Sequence, residues 1–184
     1  MCEFLLEGPD GKAAVTGRAG LGLAPWHDEW VLPVRRDPVA AVQAPPLVLP
    51  EHVPAEGDLP PMAVHLSAAE VAAWASVRAG DSHPRFHAGP NQRVHPSWTP
   101  SQYVYLVRHS CRQPDVGIHV SGRVQNLRPI TPPADVVVAG RWTMHEQRNE
   151  RWWSGASGLV LNGEGIELAY FSQVAILLPP FDLG

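Results

Sequence analysis

The sequence contains few cysteines, and their positions exclude two kinds of protein. Among 184 residues only Cys2 and Cys111 are cysteine. They do not form a CxxC pair, and neither lies at the His/Cys spacing of a zinc site. A disulfide framework and a cysteine-based zinc centre are therefore not expected, and a reducing, cytoplasmic environment is favoured.

Charge and long apolar runs are also scarce. Charged residues make up 17% of the sequence, and the net charge is -4, without any run of Lys or Arg. Such a composition predicts no nucleic-acid partner. The longest apolar runs have the length of a strand, so no membrane span is predicted. The opening residues, MCEFLLEGPDGK, lack the basic start and the small-residue cleavage site of a signal peptide.

Proline, by contrast, is abundant, with 20 in the chain and a dense group between residues 25 and 61. Because proline lacks an N–H group, this density excludes helix and central strand and favours extended chain on a surface. We therefore expect residues 26–61 to form a linker. Hydrophobic residues make up 45% of the sequence, which is enough for a core, and we place the main domain at residues 62–184.

The first residues resemble a later part of the chain. Residues 1–25 predict a hairpin around an Asp-Gly turn, and the same order of strand, acidic-glycine turn, strand and proline returns at residues 158–179. An offset of 154 places Gly11 on Gly165 and Asp10 on Glu164. A chance match between two hairpins is one interpretation. The other is that residues 1–25 are the end of a preceding copy of the C-terminal domain.

The remaining pattern predicts two helices followed by strands. Ser67 and Glu70 form a capping box that begins a short helix, and Gly80 ends it. A second helix with a wide apolar face is predicted from about Thr99. Alternating apolar residues then predict four antiparallel strands joined as a meander, at 116–130, 134–147, 149–162 and 165–178. The fold class is therefore α+β, with one sheet and a helix packed on its apolar face.

Four features in this order resemble one family. They are the helix AAEVAAWASVRAGD leading into an Asp-x-x-Pro loop, the segment RVHPSWTPSQYVYLV, a strand ending in NLRPI, and the final hairpin with its acidic-glycine turn. Residues 62–179 thus resemble the MaoC-like (R)-specific enoyl-CoA hydratases. The resemblance implies a hotdog fold, in which an antiparallel sheet wraps around a central helix. It also implies a lyase of fatty acid metabolism that needs no cofactor.

The open edge of a single hotdog sheet predicts a partner. This partner is expected to be a second hotdog, either in a homodimer or in a preceding copy to which residues 1–25 belong. The resemblance further implies an acyl-CoA or acyl-carrier-protein thioester as the substrate. The acyl chain length and the choice of carrier do not follow from the sequence.

The resemblance also implies site residues in the loop DSHPRFH. Asp81 and Pro84 match the Asp and Pro of the family's Asp-x-Asn-Pro-x-His motif, and His83 stands where the family has Asn. The family His lies five residues after the Asp, where this chain has Phe86, whereas His87 lies six residues after it. If Arg85 is an inserted residue, Asp81 and His87 activate the water and His83 orients it. If Arg85 is not an insertion, the family histidine is lost from this chain. Arg85 itself is a candidate for contact with a CoA phosphate.

The same resemblance implies a backbone N–H at the start of the central helix that polarises the thioester carbonyl. This chain has Pro96 in that region, and proline has no N–H to donate. Ser97 or Trp98 is then expected to supply the N–H and to contact the substrate.

Three other interpretations remain open. In the first, the hotdog is catalytically silent and either binds acyl thioesters or serves as the structural half of a double-hotdog protein. In the second, it is a thioesterase, although TPSQYVYLVRHSC offers no carboxylate on the central helix. In the third, His83, His87 and His95 bind a metal, but no metal is expected because Pro84 interrupts the helical spacing and no further ligand is evident.

Overall fold

The computed structural model describes residues 2–7, 9, 11–22, 29–41, 43–113 and 116–178. The chain forms two compact units, Met1–Trp30 and Val31–Gly184. No helix among the described residues is both long and apolar enough to cross a membrane.

The larger unit is built on one five-stranded antiparallel sheet. Its strands are β3 (Gly57–Leu66), β4 (Val116–Asn126), β5 (Ala134–Arg148), β6 (Arg151–Asn162) and β7 (Glu167–Leu178), and the smaller unit contributes β1 (Cys2–Glu7) and β2 (Ala13–Ala19). The order across the sheet is β3-β5-β6-β7-β4. The predicted α+β class and antiparallel sheet are confirmed.

The predicted meander is wrong for its first strand. β5, β6 and β7 follow one another as neighbours, but β4 pairs with β7 at the far edge instead of with β5. The segment between β4 and β5 contains Pro129, Pro132 and Pro133, which do not suit a tight hairpin turn between two strands. Alternation of apolar residues identifies a strand without identifying its neighbour, so the pairing was not available from the pattern.

Strand β3 was missed because of its prolines. It begins at Gly57, inside the segment predicted as linker, and it contains Pro60 and Pro61. β3 is an edge strand, and its register with β5 shifts between Leu59 and Met62, around the two prolines. Proline is tolerated in an edge strand or at a bulge. The N–H that it lacks would face away from the neighbouring strand there, so no hydrogen bond between strands is lost.

The central helix is α2 (Trp98–Ser110), and it contacts all five strands of the sheet. Leu106 is 1% exposed and lies over Gly140, where an added Cβ would stand 2.5 Å from the Leu106 side chain. The helix therefore approaches the sheet so closely that only glycine fits beneath it. A sheet around a buried helix is the predicted hotdog arrangement.

The shorter helix α1 (Ala68–Ala73) begins as predicted. The Ser67 hydroxyl accepts from the Glu70 N–H at 3.2 Å, and the Glu70 carboxylate accepts from the Ser67 N–H at 2.9 Å, which completes the capping box. α1 continues as a wider π-helical turn, Trp74–Ala79, and ends at Gly80 with φ +64°. A glycine at this left-handed position turns the chain into the loop that carries Asp81.

The hairpin of the smaller unit has the register of the β6–β7 hairpin. Adding 154 to each residue number converts the pair Leu5↔Thr16 into Leu159↔Tyr170, and the same holds for all six β1–β2 pairs. The register shift between Leu6 and Glu7 also falls on the shift between Val160 and Leu161.

The turns of the two hairpins agree as well. Gly11 and Gly165 have φ +74° and +78°, a left-handed conformation that glycine adopts without strain. Asp10, and Pro25 after the second predicted strand of this hairpin, lie outside the described residues. The interpretation of residues 1–25 as the end of a preceding copy stays a prediction.

Candidate functional site

Asp81 and His83 are fixed by a local turn in the loop after α1. The Asp81 Oδ1 atom accepts from the His83 N–H at 2.7 Å, and the Asp81 N–H donates to the Ala75 carbonyl at 2.9 Å. The His83 Nδ1 atom accepts from the Arg85 N–H at 3.2 Å and so caps the 3-10 turn Pro84–Phe86. His83 is exposed, and its observed contact stabilises the loop.

His87 contacts the backbone of Asp81 and not its carboxylate. Its Nε2 atom lies 2.7 Å from the Asp81 carbonyl oxygen. Because a carbonyl oxygen only accepts, Nε2 carries the proton in this hydrogen bond. The loop is thereby closed on itself, and the Asp81 carboxylate is left to another partner.

That partner is His95. The His95 Nε2 atom lies 3.4 Å from Asp81 Oδ2, and the two side chains are 18% and 34% exposed. On the other side of the ring, Nδ1 accepts from the Ser97 N–H at 3.1 Å. Because a backbone N–H only donates, neutral His95 carries its proton on Nε2, facing Asp81.

Ser97 extends this arrangement to α1 through its hydroxyl. The Ser97 Oγ atom lies 2.8 Å from His95 Nδ1, so its O–H donates to the ring. It also accepts from the Trp74 Nε1–H at 3.2 Å. A continuous series of polar contacts therefore runs from Trp74 through Ser97 and His95 to the Asp81 carboxylate.

The surroundings keep Asp81 ionised. The hydrogen bond from the His83 N–H is the largest cause that lowers the pKa of Asp81 below its usual 3.8, and the neighbouring His95 adds to the effect. Both stabilise the charged form of the carboxylate more than the neutral form. Near neutral pH the site therefore presents a carboxylate to a ring N–H.

The start of α2 differs from what the resemblance implied in one respect. The Ser97 N–H donates to the His95 ring, and the Trp98 N–H donates to the His95 carbonyl at 2.9 Å. Both N–H groups expected to hold a substrate carbonyl thus have acceptors within the chain. The Trp98 side chain is 5% exposed and belongs to the core.

A cavity of about 370 Å³ opens beside His95. Its lining includes Arg85, Phe86 and Thr99, and among the described residues neither Asp81 nor His87 contributes to it. The Phe86 ring meets the His95 ring edge to face, with centroids 4.7 Å apart. Phe86 therefore covers one side of the His95 imidazole.

A larger cavity of about 670 Å³ lies along the C-terminal half of α2, between Tyr103 and Gln113 and the strands β4 and β7. It contains neither Asp81 nor His95. We take the smaller cavity as the candidate site because His95, the partner of the Asp81 carboxylate, lines it. Within the described residues, no cluster of three or more His, Cys, Asp or Glu side chains could hold a metal.

The contact of His95 with Asp81 was not predicted from the sequence, where His95 was considered only as a metal ligand. Asp81 and His95 are separated by a turn and an irregular segment, so no local spacing places them together. The available signal was the pair His95 and Ser97 immediately before a predicted helix, where a ring nitrogen can accept a backbone N–H.

No family model matches this chain, and no curated protein matches its sequence. Solved structures do match. An (R)-hydratase from A. caviae involved in PHA biosynthesis has a TM-score of 0.55 at 16% identity, over 69% of this chain and 98% of the hydratase. The C-terminally truncated HadBC complex of Mycobacterium tuberculosis, a 3R-hydroxyacyl-ACP dehydratase, has a TM-score of 0.55 at 13% identity, over 66% and 96%.

The MaoC-like dehydratase from Rhodospirillum rubrum has a TM-score of 0.55 at 14% identity, over 70% of this chain and 95% of the dehydratase. Each of these similarities covers nearly the whole of the other protein. At such identities they establish the architecture. The chain has the hotdog fold found in MaoC-like dehydratases and (R)-hydratases.

Proposed function

We propose that the chain is an acyl-thioester hydratase/dehydratase that interconverts trans-2-enoyl and (R)-3-hydroxyacyl thioesters of CoA or an acyl-carrier protein. One observation carries the proposal. The ionised Asp81 carboxylate faces the protonated Nε2 of His95 just before the buried helix of a hotdog fold. The (R)-hydratase and dehydratases of similar fold support this reaction class.

The separation of the two groups suits a shared water molecule. At 3.4 Å the Nε2–Oδ2 distance exceeds the 2.7–3.2 Å of a normal N–H···O hydrogen bond, so both groups can bind a third molecule. Asp81 accepts a proton from this water as the water oxygen bonds to C3 of the enoyl group. The protonated carboxyl then returns the proton to C2, and His95 holds the water through Nε2–H.

His87 and His83, the other two residues predicted to be catalytic, have structural roles in this proposal. His87 holds the Asp81 carbonyl and His83 caps the following turn, so both keep the loop in place. Ser97 orients the His95 ring through Nδ1. Arg85 borders the cavity and is proposed to bind substrate.

The partner in this proposal is a second hotdog. Strand β4 forms an edge of the sheet, and its residues 117–124 are all exposed. Among them Ile118, Val120 and Val124 are 49%, 44% and 38% exposed. An edge strand with exposed β-branched residues suits pairing with another strand. The second hotdog is either a copy of this chain or a preceding copy that ends in residues 1–25.

A catalytically silent hotdog is the second candidate. Two observations favour it, namely that the Ser97 and Trp98 N–H groups already have acceptors and that Phe86 packs against the His95 ring. In this case the fold would bind acyl thioesters or support an active half.

The deciding experiment is hydration of trans-2-enoyl-CoA substrates, from short to long, followed by loss of the enoyl thioester absorbance. The test variant is Asp81→Asn/His95→Gln, and the matched control is Asp135→Asn/His65→Gln, which alters an Asp–His pair on the sheet surface. We expect turnover by the wild type and the control only. No turnover of any chain length by folded wild-type protein would favour the silent hotdog.

A further inference from the structure

The cavity beside His95 carries an excess of positive charge. Arg85, Arg93 and Arg128 all line it, together with His95. Within the described chain no Asp or Glu side chain lines this cavity. The three guanidinium charges exceed the single negative charge of Asp81, whose carboxylate lies 3.4 Å from His95 Nε2, so the concave site has a net positive charge that attracts an anion.

The arginines come from different segments and are held in place by the backbone. The Arg93 N–H donates to the Arg85 carbonyl at 2.8 Å, which sets these two residues side by side. The half-buried Arg93 guanidinium donates to the Gln92 carbonyl at 2.8 Å. Arg128 follows β4, and its N–H donates to the Leu168 carbonyl at 3.1 Å. The cluster therefore depends on the fold and not on a local run of basic residues.

The other polar lining also favours a ligand that accepts hydrogen bonds. The Thr99 hydroxyl donates to Asn126 Oδ1 at 3.0 Å, and both residues line the cavity. This bond orients the Asn126 amide, whose NH₂ group can donate to a ligand. The guanidinium groups of arginine and the N–H groups of an amide can donate hydrogen bonds to the oxygens of a carboxylate or a phosphate.

The size and position of the cavity favour one of these two anions as the ligand. At about 370 Å³ it lies at the small end of the range for ligand sites, and His95 forms part of its wall. An anion bound there lies close to the proposed reacting carbons. The phosphate of a phosphopantetheine carrier is separated from the thioester by the whole pantetheine arm, so a phosphate held beside His95 would place the thioester far from the Asp81–His95 pair.

We infer that the acyl group of the substrate itself carries a carboxylate, which Arg85, Arg93 and Arg128 bind in the cavity next to His95. This inference rests on the proposed hydratase/dehydratase function. The substrate class is then the monothioester of an unsaturated dicarboxylic acid. The arginines select it over an uncharged enoyl thioester of the same length.

The test uses N-acetylcysteamine thioesters, which have no phosphate. Two trans-2-enoyl thioesters of matched length, one ending in a methyl group and the other in a carboxylate, are compared by kcat/KM. We expect the wild type to prefer the carboxylate at least tenfold, and Arg85→Gln, Arg93→Gln and Arg128→Gln each to lower that ratio. Arg78→Gln, an exposed residue outside the cavity, is the control.

Equal rates with both thioesters, or a ratio unchanged in all three variants, would overturn the inference. So would a loss in these variants that appears only with CoA thioesters, because the arginines would then bind the carrier phosphate. If neither these thioesters nor the matching CoA thioesters are hydrated, the proposed function fails. Calorimetric titration with the saturated thioesters then decides the inference alone, since it requires tighter binding of the carboxylated one and weaker binding in the variants.

Discussion

Among the described residues, two aspartate–histidine pairs are in contact, and they differ in distance, exposure and surroundings. His65 and Asp135 are cross-strand neighbours in β3 and β5, with Nδ1 and Oδ1 2.8 Å apart and side chains 63% and 85% exposed. His95 and Asp81 are 3.4 Å apart, and their side chains are 18% and 34% exposed. The shorter contact therefore belongs to the more exposed pair.

The comparison shows that distance alone does not identify a site. In the outer pair two solvated side chains meet, and an exposed ion pair of this kind stabilises a protein by at most about 1 kcal/mol. In the inner pair each partner is oriented by another group, Asp81 by the His83 N–H and His95 by Ser97. Fixed orientation beside a cavity is what catalysis by a carboxylate and an imidazole requires.

The two pairs are expected to differ most when the carboxylate of each is replaced in a separate variant. Asp81→Asn removes the proposed base, and we expect kcat for enoyl-thioester hydration to fall by about 100-fold or more, the range for loss of a general base. Asp135→Asn changes a solvated pair and is expected to keep wild-type kcat. Steady-state rates of both purified variants test this, and equal rates would remove the distinction between the pairs.

A smaller effect is expected at Ser97. Ser97→Ala removes a hydroxyl that contacts both His95 Nδ1 and Trp74 Nε1. Loss of one orienting hydrogen bond, worth about 1 kcal/mol, predicts a decrease in kcat of roughly fivefold with less change in KM. Ser76→Ala is the control, because its hydroxyl bonds only to helix carbonyls. A kcat unaffected by Ser97→Ala would show that the ring needs no support.

The charge of Asp81 is also expected to affect stability at low pH. Its pKa is lower in the folded chain than its usual 3.8, so its ionisation contributes stability above that value, and this contribution is lost as the pH falls through the lowered pKa. Urea unfolding at a series of pH values measures it. The stability difference between wild type and Asp81→Asn is expected to shrink in acid, and a constant difference would contradict the assignment.

The finest distinction is between the tautomers of the two histidines. Neutral His65 is expected to carry its proton on Nδ1, where Asp135 accepts it, whereas neutral His95 is expected to carry its proton on Nε2. Long-range ¹⁵N–¹H correlation spectra of the labelled protein distinguish the two forms. The same tautomer in both rings would contradict the proposed orientation of His95.

Local features of the fold could be predicted from the sequence. The capping box at Ser67 and the left-handed Gly80 depend on neighbouring residues, and both are observed. The position of β4 at the far edge was predicted wrongly because strand pairing depends on residues distant in the chain. Asp81 was recognised as a candidate, but its contact with His95 was not, since it is formed by the folding of two separate segments.

The two hairpins also show which property the local sequence does not determine. They share register and turn geometry, which the local sequence sets through Gly11 and Gly165. Their burial differs, because Leu159 is 0% exposed and the equivalent Leu5 is 52% exposed. The local sequence thus accounts for the shape of a hairpin, whereas the elements packed around it account for its burial.

His95, and not His87, is the proposed partner of Asp81 in catalysis. The decisive comparison is between kcat of His95→Gln and kcat of His87→Gln on one enoyl thioester, with melting temperatures as a check on folding. We predict that His95→Gln loses about 100-fold or more, while His87→Gln, which alters only a contact with the Asp81 carbonyl, loses much less. A larger loss in His87→Gln would contradict the account and return the catalytic role to His87.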